Sequence, residues 1–164
     1  MHFWRSAIRQ QFHAAIDMLA NAIEACPESV WSADQGPSAF WYLGYHTLFF
    51  LDLYLGDTDE TEFRPPSPFG LIDDEPERPY RKEELLDYVE HCRRRLEVVM
   101  AGMTDVWAES PCPISYRRMS NGELLLYNMR HVQHHAAQLN MLLRQKTGSA
   151  PPDWVSKGGK ARKV

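Results

Sequence analysis

Residues 120–147 read SNGELLLYNMRHVQHHAAQLNMLLRQKT, and this stretch predicts a long amphipathic helix. Ser120 and Glu123 have the spacing of a capping box, and Gly148 follows, so we expect a helix to about Lys146. The residues that share one face at helical spacing are Leu124, Tyr127, His131, His135, Leu139 and Leu142. This apolar face therefore carries two histidines.

Three further segments have a helical period, and stretches rich in proline and glycine separate them. We expect helices over about 3–25, from near Pro37 and Ser38 to about Leu55, and over about 81–103. Their apolar stripes are Trp4, Ile8, Phe12, Ala15, Leu19 and Ile23; then Ala39, Leu43, His46, Phe50 and Leu53; then Leu85, Val89, Cys92, Leu96, Val99 and Met103. Only a short extended piece near 113–117 departs from this helical pattern.

Five prolines lie between Gly56 and Tyr80, a density that excludes a regular element there. A connection of about 25 residues can cross a whole bundle, so the helices that it joins need not be antiparallel neighbours. The sequence therefore predicts an all-α protein, a four-helix bundle with a long proline-rich connection between helices two and three.

The chain of 164 residues fits one domain, which we expect over 1–147, followed by an irregular tail over 148–164 from which Trp154 packs back onto the body. The tail contains the only basic run, Lys157 to Lys163, which we expect to be solvated and mobile. Eighteen basic and 22 acidic residues argue against nucleic acid as a partner.

No apolar stretch is long enough to span a bilayer, and the first residues lack a signal pattern. We therefore expect a cytoplasmic protein with no membrane partner. Cys26, Cys92 and Cys112 are odd in number and widely spaced, so we expect reduced thiols, without a disulfide framework or a cysteine zinc site.

The histidine pattern points to a metal site. His131 and His135 are four residues apart and project from adjacent turns of one helical face, and His46 stands on an apolar stripe where leucine is usual. A divalent ion such as zinc or nickel accepts three neutral imidazoles and keeps an open position. The alternative is three histidines that bond to the backbone or to one another without a metal.

Two polar neighbours of these histidines are weaker candidates. His134 points 60° from His131 and 100° from His135 by helical geometry, at roughly 100° per residue, so we expect it beside the site or exposed. Gln138 could bond a ligand or a metal-bound water, although an exposed glutamine is commoner. Residue 132 is Val132, so the metalloprotease H-E-x-x-H motif is missing.

Three motifs resemble the DinB-like superfamily. The segment RHVQHHAAQLN at 130–140, preceded by YNM at 127–129, resembles the family's last core helix. The segment WYLGYHTLFFLD at 41–52 is similar to its other histidine helix, and FRPPSPFG at 63–70 is similar in kind to its linkers. The resemblance spans about residues 3–146.

The resemblance implies a four-helix bundle that binds zinc or nickel through His46, His131 and His135 and often forms a homodimer. Relatives include thiol-dependent S-transferases, an isomerase with a thiol cofactor and a domain of sulfoxide-forming enzymes, whereas many members have no known activity. Many relatives carry Arg-Gly after the double histidine, where this chain has Ala136 and Ala137. A contact from that arginine to an anionic group is therefore not expected here.

Two functional hypotheses follow from these expectations. In the first, the protein is a metal-dependent enzyme: a low-molecular-weight thiol attacks a small electrophilic substrate, or a bound water hydrolyses one. In the second, it is a non-catalytic, stress-associated metal-binding bundle. A cavity over the metal favours the enzyme, whereas sealing by Phe50, Trp41 or Tyr127 favours the second hypothesis. No general base is assigned, because Asp52 is two turns from His46.

Overall fold

The computed structural model describes residues 2–34, 36, 39–74, 76 and 78–158. The described chain is all-helical, as predicted, with only an isolated bridge between Pro111 and Ser120 in place of the short extended piece. The helices are α1 (His2–Ala25), α2 (Glu28–Trp31), α3 (Phe40–Tyr54), α4 (Lys82–Gly102), α5 (Asp105–Glu109) and α6 (Asn121–Thr147). Four are long and two are short, and the predicted start of the second long helix at 37–38 lies outside the described residues.

The long connection joins two parallel helices. Gly44 lies against Leu85 near the starts of α3 and α4, and the carbonyl of Leu55 accepts a hydrogen bond from Arg95 near their ends. A Cβ on Gly44 would lie 2.9 Å from a methyl carbon of Leu85, so glycine permits this close approach. Between the two helices the chain returns along the length of the bundle, and its described residues form no helix.

The other helix pairs fix the position of α6. It runs antiparallel to α3, because His135 lies near His46 whereas the earlier Tyr127 lies against Tyr54. On its other side α6 packs against α1, and Gln133 reaches Met18 there. The helix begins at a capping box, in which the Ser120 hydroxyl accepts from the Glu123 amide. The histidine face of α6 is thus directed towards α3.

The predicted stripe of α3 is wrong in detail. His46 and Phe50 are only partly buried, whereas Tyr45, Leu48 and Leu51 are almost fully buried. Nearly every residue of α3 is apolar, so its pattern does not identify one inward face, and packing against α4, α6 and the connection buries most of its circumference. His46 therefore stands at the edge of the core, where an open site can form.

The proline-rich connection is held by aromatic side chains. Phe69 stacks on Tyr45 and on Tyr88, and Tyr80 packs against Tyr45 with a 4.9 Å separation of ring centroids. The Tyr45 hydroxyl donates to the carbonyl of Gly70. The connection is thus part of the core despite the absence of a helix in its described residues.

Residues 148–158 leave α6 and return across the surface towards α1 without a helix. The Gly158 amide donates to the carbonyl of Gln10, and Val155 packs against the core. Trp154 lies beside α6 but is 70% exposed, so it packs back only in part. The remainder of the predicted tail, 159–164, is outside the described residues, and the boundary at 147 stays a prediction.

The sequence also led to expectations about membrane-spanning helices and about the cysteines. Within the described chain, no helix has the length and apolarity that crossing a bilayer requires. Cys26, Cys92 and Cys112 are all free, and the first two are buried.

Candidate metal centre

The structure brings the three predicted histidines together. One ring nitrogen from each of His46, His131 and His135 lies within 4.8 Å of the other two. The ring centroids of His46 are 5.6 Å from that of His131 and 5.0 Å from that of His135. Helix α3 supplies the first histidine and two successive turns of α6 supply the pair, so three side chains converge from two antiparallel helices.

Hydrogen bonds orient the pair on α6. The Nδ1 atom of His135 is 2.6 Å from Oε1 of Gln138, and because a carbonyl oxygen only accepts, this nitrogen carries the proton. The lone pair of His135 is therefore on Nε2, which lies 3.0 Å from Nε2 of His131. The two Nε2 atoms thus face each other at hydrogen-bonding distance, an arrangement shared by two ligands of one ion and by two histidines that bond to each other.

All three imidazoles are neutral near pH 7. Burial, with a smaller effect of His135, lowers the pKa of His46 to about 4. Burial, then the charges of the other histidines and of Arg117, lowers the pKa of His131 to about 3. Burial also lowers the pKa of His135, against the hydrogen bond to Gln138. Neutral imidazole is the form that binds a metal.

These residues fit a divalent transition metal. Such an ion binds imidazole nitrogen at about 2.0–2.1 Å, so nitrogens that lie within 4.8 Å of one another would have to draw closer around it. The donor set of three uncharged nitrogens suits zinc and nickel. Nδ1 of His131 is buried without a partner in the described chain, so its Nε2 is the nitrogen directed at the others.

Aromatic rings enclose one side of the centre. Phe50 lies 4.9 Å from the His46 ring and 5.8 Å from the His131 ring, between centroids. The rings of Tyr54 and Tyr127 also lie near His131, with centroid separations of 6.3 Å and 6.5 Å. Trp41, which could have sealed the site, instead packs with Tyr80 at the connection. Of the three rings that could seal the site, Phe50 and Tyr127 therefore lie beside the histidines, whereas Trp41 does not.

An open cavity of about 580 Å³ adjoins the centre. Its lining includes Tyr127, Arg130, His131, His134, Ala137 and Trp154. His134 is exposed, and its ring centroid lies 5.1 Å from that of His135. His134 is thus a neighbour of the centre that faces the cavity, and Trp154 of the C-terminal segment forms part of the far wall.

Sequence reasoning missed a cationic cluster beside the centre. Arg117, in the loop before α6, lies over the ring of Tyr127 at 4.5 Å from Cζ to the centroid and donates to the hydroxyls of Tyr127 and Tyr54. The Tyr116 ring also lies against the guanidinium, with its centroid 5.2 Å from Cζ. No periodicity marks a loop residue, so only its position three residues before the Ser120 cap could have drawn attention to it.

A second polar cluster lies between α3 and α4. The Asp52 carboxylate is 2% exposed, accepts a hydrogen bond from Tyr88 and lies 3.3 Å from Nε2 of His91 and 3.5 Å from Nε of Arg95. Burial raises the pKa of Asp52 in spite of these partners. Asp52 is therefore directed to α4, away from the histidine centre.

A helical bundle with three convergent histidines defines a candidate metalloprotein. The family model of the DinB superfamily matches residues 11–139, a span that contains all three histidines. The chain belongs to the DinB superfamily, which confirms the resemblance seen in the sequence. No curated protein matches the chain.

Proposed function

We propose that His46, His131 and His135 bind a divalent transition metal, zinc or nickel, and that the protein is a metal-dependent enzyme acting on a small molecule. The observation that carries the proposal is the convergence of three neutral imidazoles beside an open cavity of about 580 Å³. A metal that bound there would lower the pKa of a water or thiol at its open position.

The reaction that we favour is S-transfer. The sulfur of a low-molecular-weight thiol forms a bond to an electrophilic carbon of the substrate, the leaving group departs from that carbon with the electron pair of the broken bond, and the thiol proton passes to water or to the leaving group. Hydrolysis by a bound water is the variant. The chain's own contribution is positional: Gln138 fixes the ring of His135, and Phe50 packs against the rings of His46 and His131.

Metal content tests the site directly. The parent, His131→Ala and His135→Ala are stripped with a chelator, reconstituted with zinc or nickel and analysed by plasma mass spectrometry. We expect about one ion per chain in the parent and a large loss in both variants. His134→Ala is the matched control, because this exposed histidine stands on the same helix. Equal metal content in parent and His131→Ala would refute the site.

A thiol and electrophile screen tests the activity. Several low-molecular-weight thiols are paired with small electrophiles in the presence of the zinc and nickel forms, with His46→Ala as the blank. We expect thioether formation that depends on all three histidines. A protein that takes up metal through these histidines yet shows neither transfer nor hydrolysis would favour the non-catalytic, stress-associated bundle. We also propose that the protein is cytoplasmic and that it forms a homodimer. Sedimentation velocity would test the homodimer.

A further inference from the structure

Arg117 has a positive charge that lies against aromatic rings. Its guanidinium Cζ lies 4.5 Å from the ring centroid of Tyr127, 5.8 Å from that of Tyr54 and 5.2 Å from that of Tyr116. Among the residues that the structure describes, no carboxylate forms an ion pair with it. A cation enclosed by three phenol rings, and only partly exposed, is therefore balanced by no anion of the described chain.

The hydrogen-bonding capacity of the cluster is also incomplete. One terminal nitrogen of Arg117 donates to the hydroxyl oxygens of Tyr127 at 2.8 Å and Tyr54 at 3.2 Å. Because these oxygens accept, the hydroxyl hydrogen of Tyr127 is left to donate elsewhere, whereas the Tyr54 hydroxyl also lies 3.4 Å from that of Tyr116. Nε of Arg117 is buried with no partner in the described chain. The cluster thus presents several donors around a positive charge, which is the arrangement that an anion would complete.

The cluster is adjacent to the histidine centre. The ring centroids of Tyr54 and Tyr127 lie 6.3 Å and 6.5 Å from that of His131. Tyr127 also lines the open cavity that His131 and Trp154 share. Tyr127 therefore links the two: its hydroxyl accepts a hydrogen bond from Arg117, and its ring lies beside His131 and lines the cavity.

We propose that Arg117, with the hydroxyls of Tyr54 and Tyr127, binds the carboxylate of a small organic acid whose remaining atoms occupy the cavity beside His131. The inference rests on the proposed function, because it names the substrate class of the same site. A planar guanidinium with phenol donors matches a carboxylate, which is planar and carries one charge. Tyr127 and Trp154 give the rest of the cavity aromatic walls, which suit an acid with an aromatic or apolar body.

Arg130 is the competing cation, since it lines the cavity, whereas Arg117 contacts the cavity wall through its hydrogen bond to Tyr127. It is exposed, so water screens its charge and solvates its donors. Arg117 is less exposed and is oriented by two phenols, so less side-chain freedom is lost when it binds an anion. The geometry therefore favours Arg117, and the experiment separates the two arginines.

The test is calorimetric titration of the metal-free full chain with 3-phenylpropanoate and with the uncharged 3-phenylpropanamide. We expect the acid to bind at least about tenfold more tightly than the amide, as a charge-assisted hydrogen bond predicts. Arg117→Met should weaken acid binding at least about tenfold, and Arg117→Lys by less, since it keeps the charge but not the fork. Arg118→Met, an exposed neighbour, removes the same charge and should bind as the parent does.

Circular dichroism establishes that each variant is folded. If Arg117→Met does not fold, Arg117→Lys and Tyr127→Phe carry the test, because the latter keeps the ring and removes only the hydroxyl. Parent-like binding by these variants, equal affinity for acid and amide, or a loss in Arg130→Met without a loss at Arg117 would overturn the proposal. So would binding of inorganic phosphate in preference to the acid.

The metal-free protein keeps this result independent of the metal. A chain that binds the acid through Arg117 but takes up no zinc or nickel would contradict the proposed function alone. A chain that takes up metal through its histidines but shows no acid binding that depends on Arg117 would contradict this inference alone.

Discussion

The amide of Gln138 fixes one ligand of the proposed centre, since its oxygen holds the proton of His135 on Nδ1 and leaves Nε2 free. Orienting partners of this kind contribute about 10- to 100-fold to metal affinity. We therefore expect Gln138→Ala to weaken zinc binding about tenfold, measured by competition with a chromophoric chelator. Gln145→Ala is the control, because Gln145 is an exposed glutamine on the same helix. Unchanged affinity in Gln138→Ala would show that the contact does not orient the ligand.

The lowered pKa values of the histidines predict how the metal-free protein responds to acid. His46 and His131 have a pKa of about 4 and about 3 when folded, against an ordinary value of 6.5. Between these values the unfolded chain binds more protons than the folded one, so the free energy of unfolding must fall as the pH falls. The loss begins near pH 6.5 and is complete only below the folded pKa values.

Urea denaturation of the metal-free protein between pH 7 and pH 5 measures this loss. The upper part of the window is informative because ordinary carboxylates are still ionised there. A His46→Leu, His131→Leu double variant should lose less stability over the same range. If parent and double variant show the same slope, the two imidazoles do not resist protonation in the folded state.

Between α3 and α4, the buried carboxylate of Asp52 ties the parallel helices together through Tyr88, His91 and Arg95. Removing the carboxylate leaves the buried Tyr88 hydroxyl without its acceptor, while the partly exposed His91 and Arg95 regain water, so Asp52→Ala should lower the free energy of unfolding by about 1–2 kcal/mol. Urea denaturation measures it, with the exposed Asp57→Ala as control. Zinc affinity should be unchanged, because Asp52 is directed away from the histidines. A loss below about 0.5 kcal/mol would mean that the cluster contributes little.

The sequence predicted where the helices lie better than it predicted which side of each helix is buried. The capping box at Ser120 and Glu123 marks the start of α6, and the four-residue spacing places His131 and His135 on one side of it. The same reasoning could not identify the buried side of α3, because this helix is apolar around almost its whole circumference. A pattern with no polar face cannot show that His46 stands at the edge of the core.

The position of Arg117 beside the histidine centre could not be predicted from the sequence, for a different reason. Arg117 meets Tyr54 across 63 positions of the chain, and such a contact depends on tertiary packing. The family likeness directed attention to Ala136 and Ala137, where many relatives carry an arginine in place of the first. The structure instead places an arginine near His131 from the loop before the helix.

For the whole molecule, the bundle should remain folded without metal. All of the long helices contribute side chains to one apolar core, and the three histidines lie at its edge. Chelation should therefore lower the Tm by only a few degrees, on the order expected when a bound ligand is lost, and leave the helical circular dichroism unchanged. Adding zinc back should restore the Tm, whereas His134→Ala should behave as the parent does. Complete unfolding on chelation would contradict the expectation.

Part of the cavity wall comes from outside the bundle, since Trp154 stands on the segment that follows α6. Among residues 148–158, Val155 is the hydrophobic side chain that packs against the core. Substitutions at Trp154 can therefore alter which molecules enter while the helices keep their packing. The residues that select a ligand are thus partly separate from those that stabilise the fold. The C-terminal segment can therefore be changed with less effect on other positions than a change in the core would have.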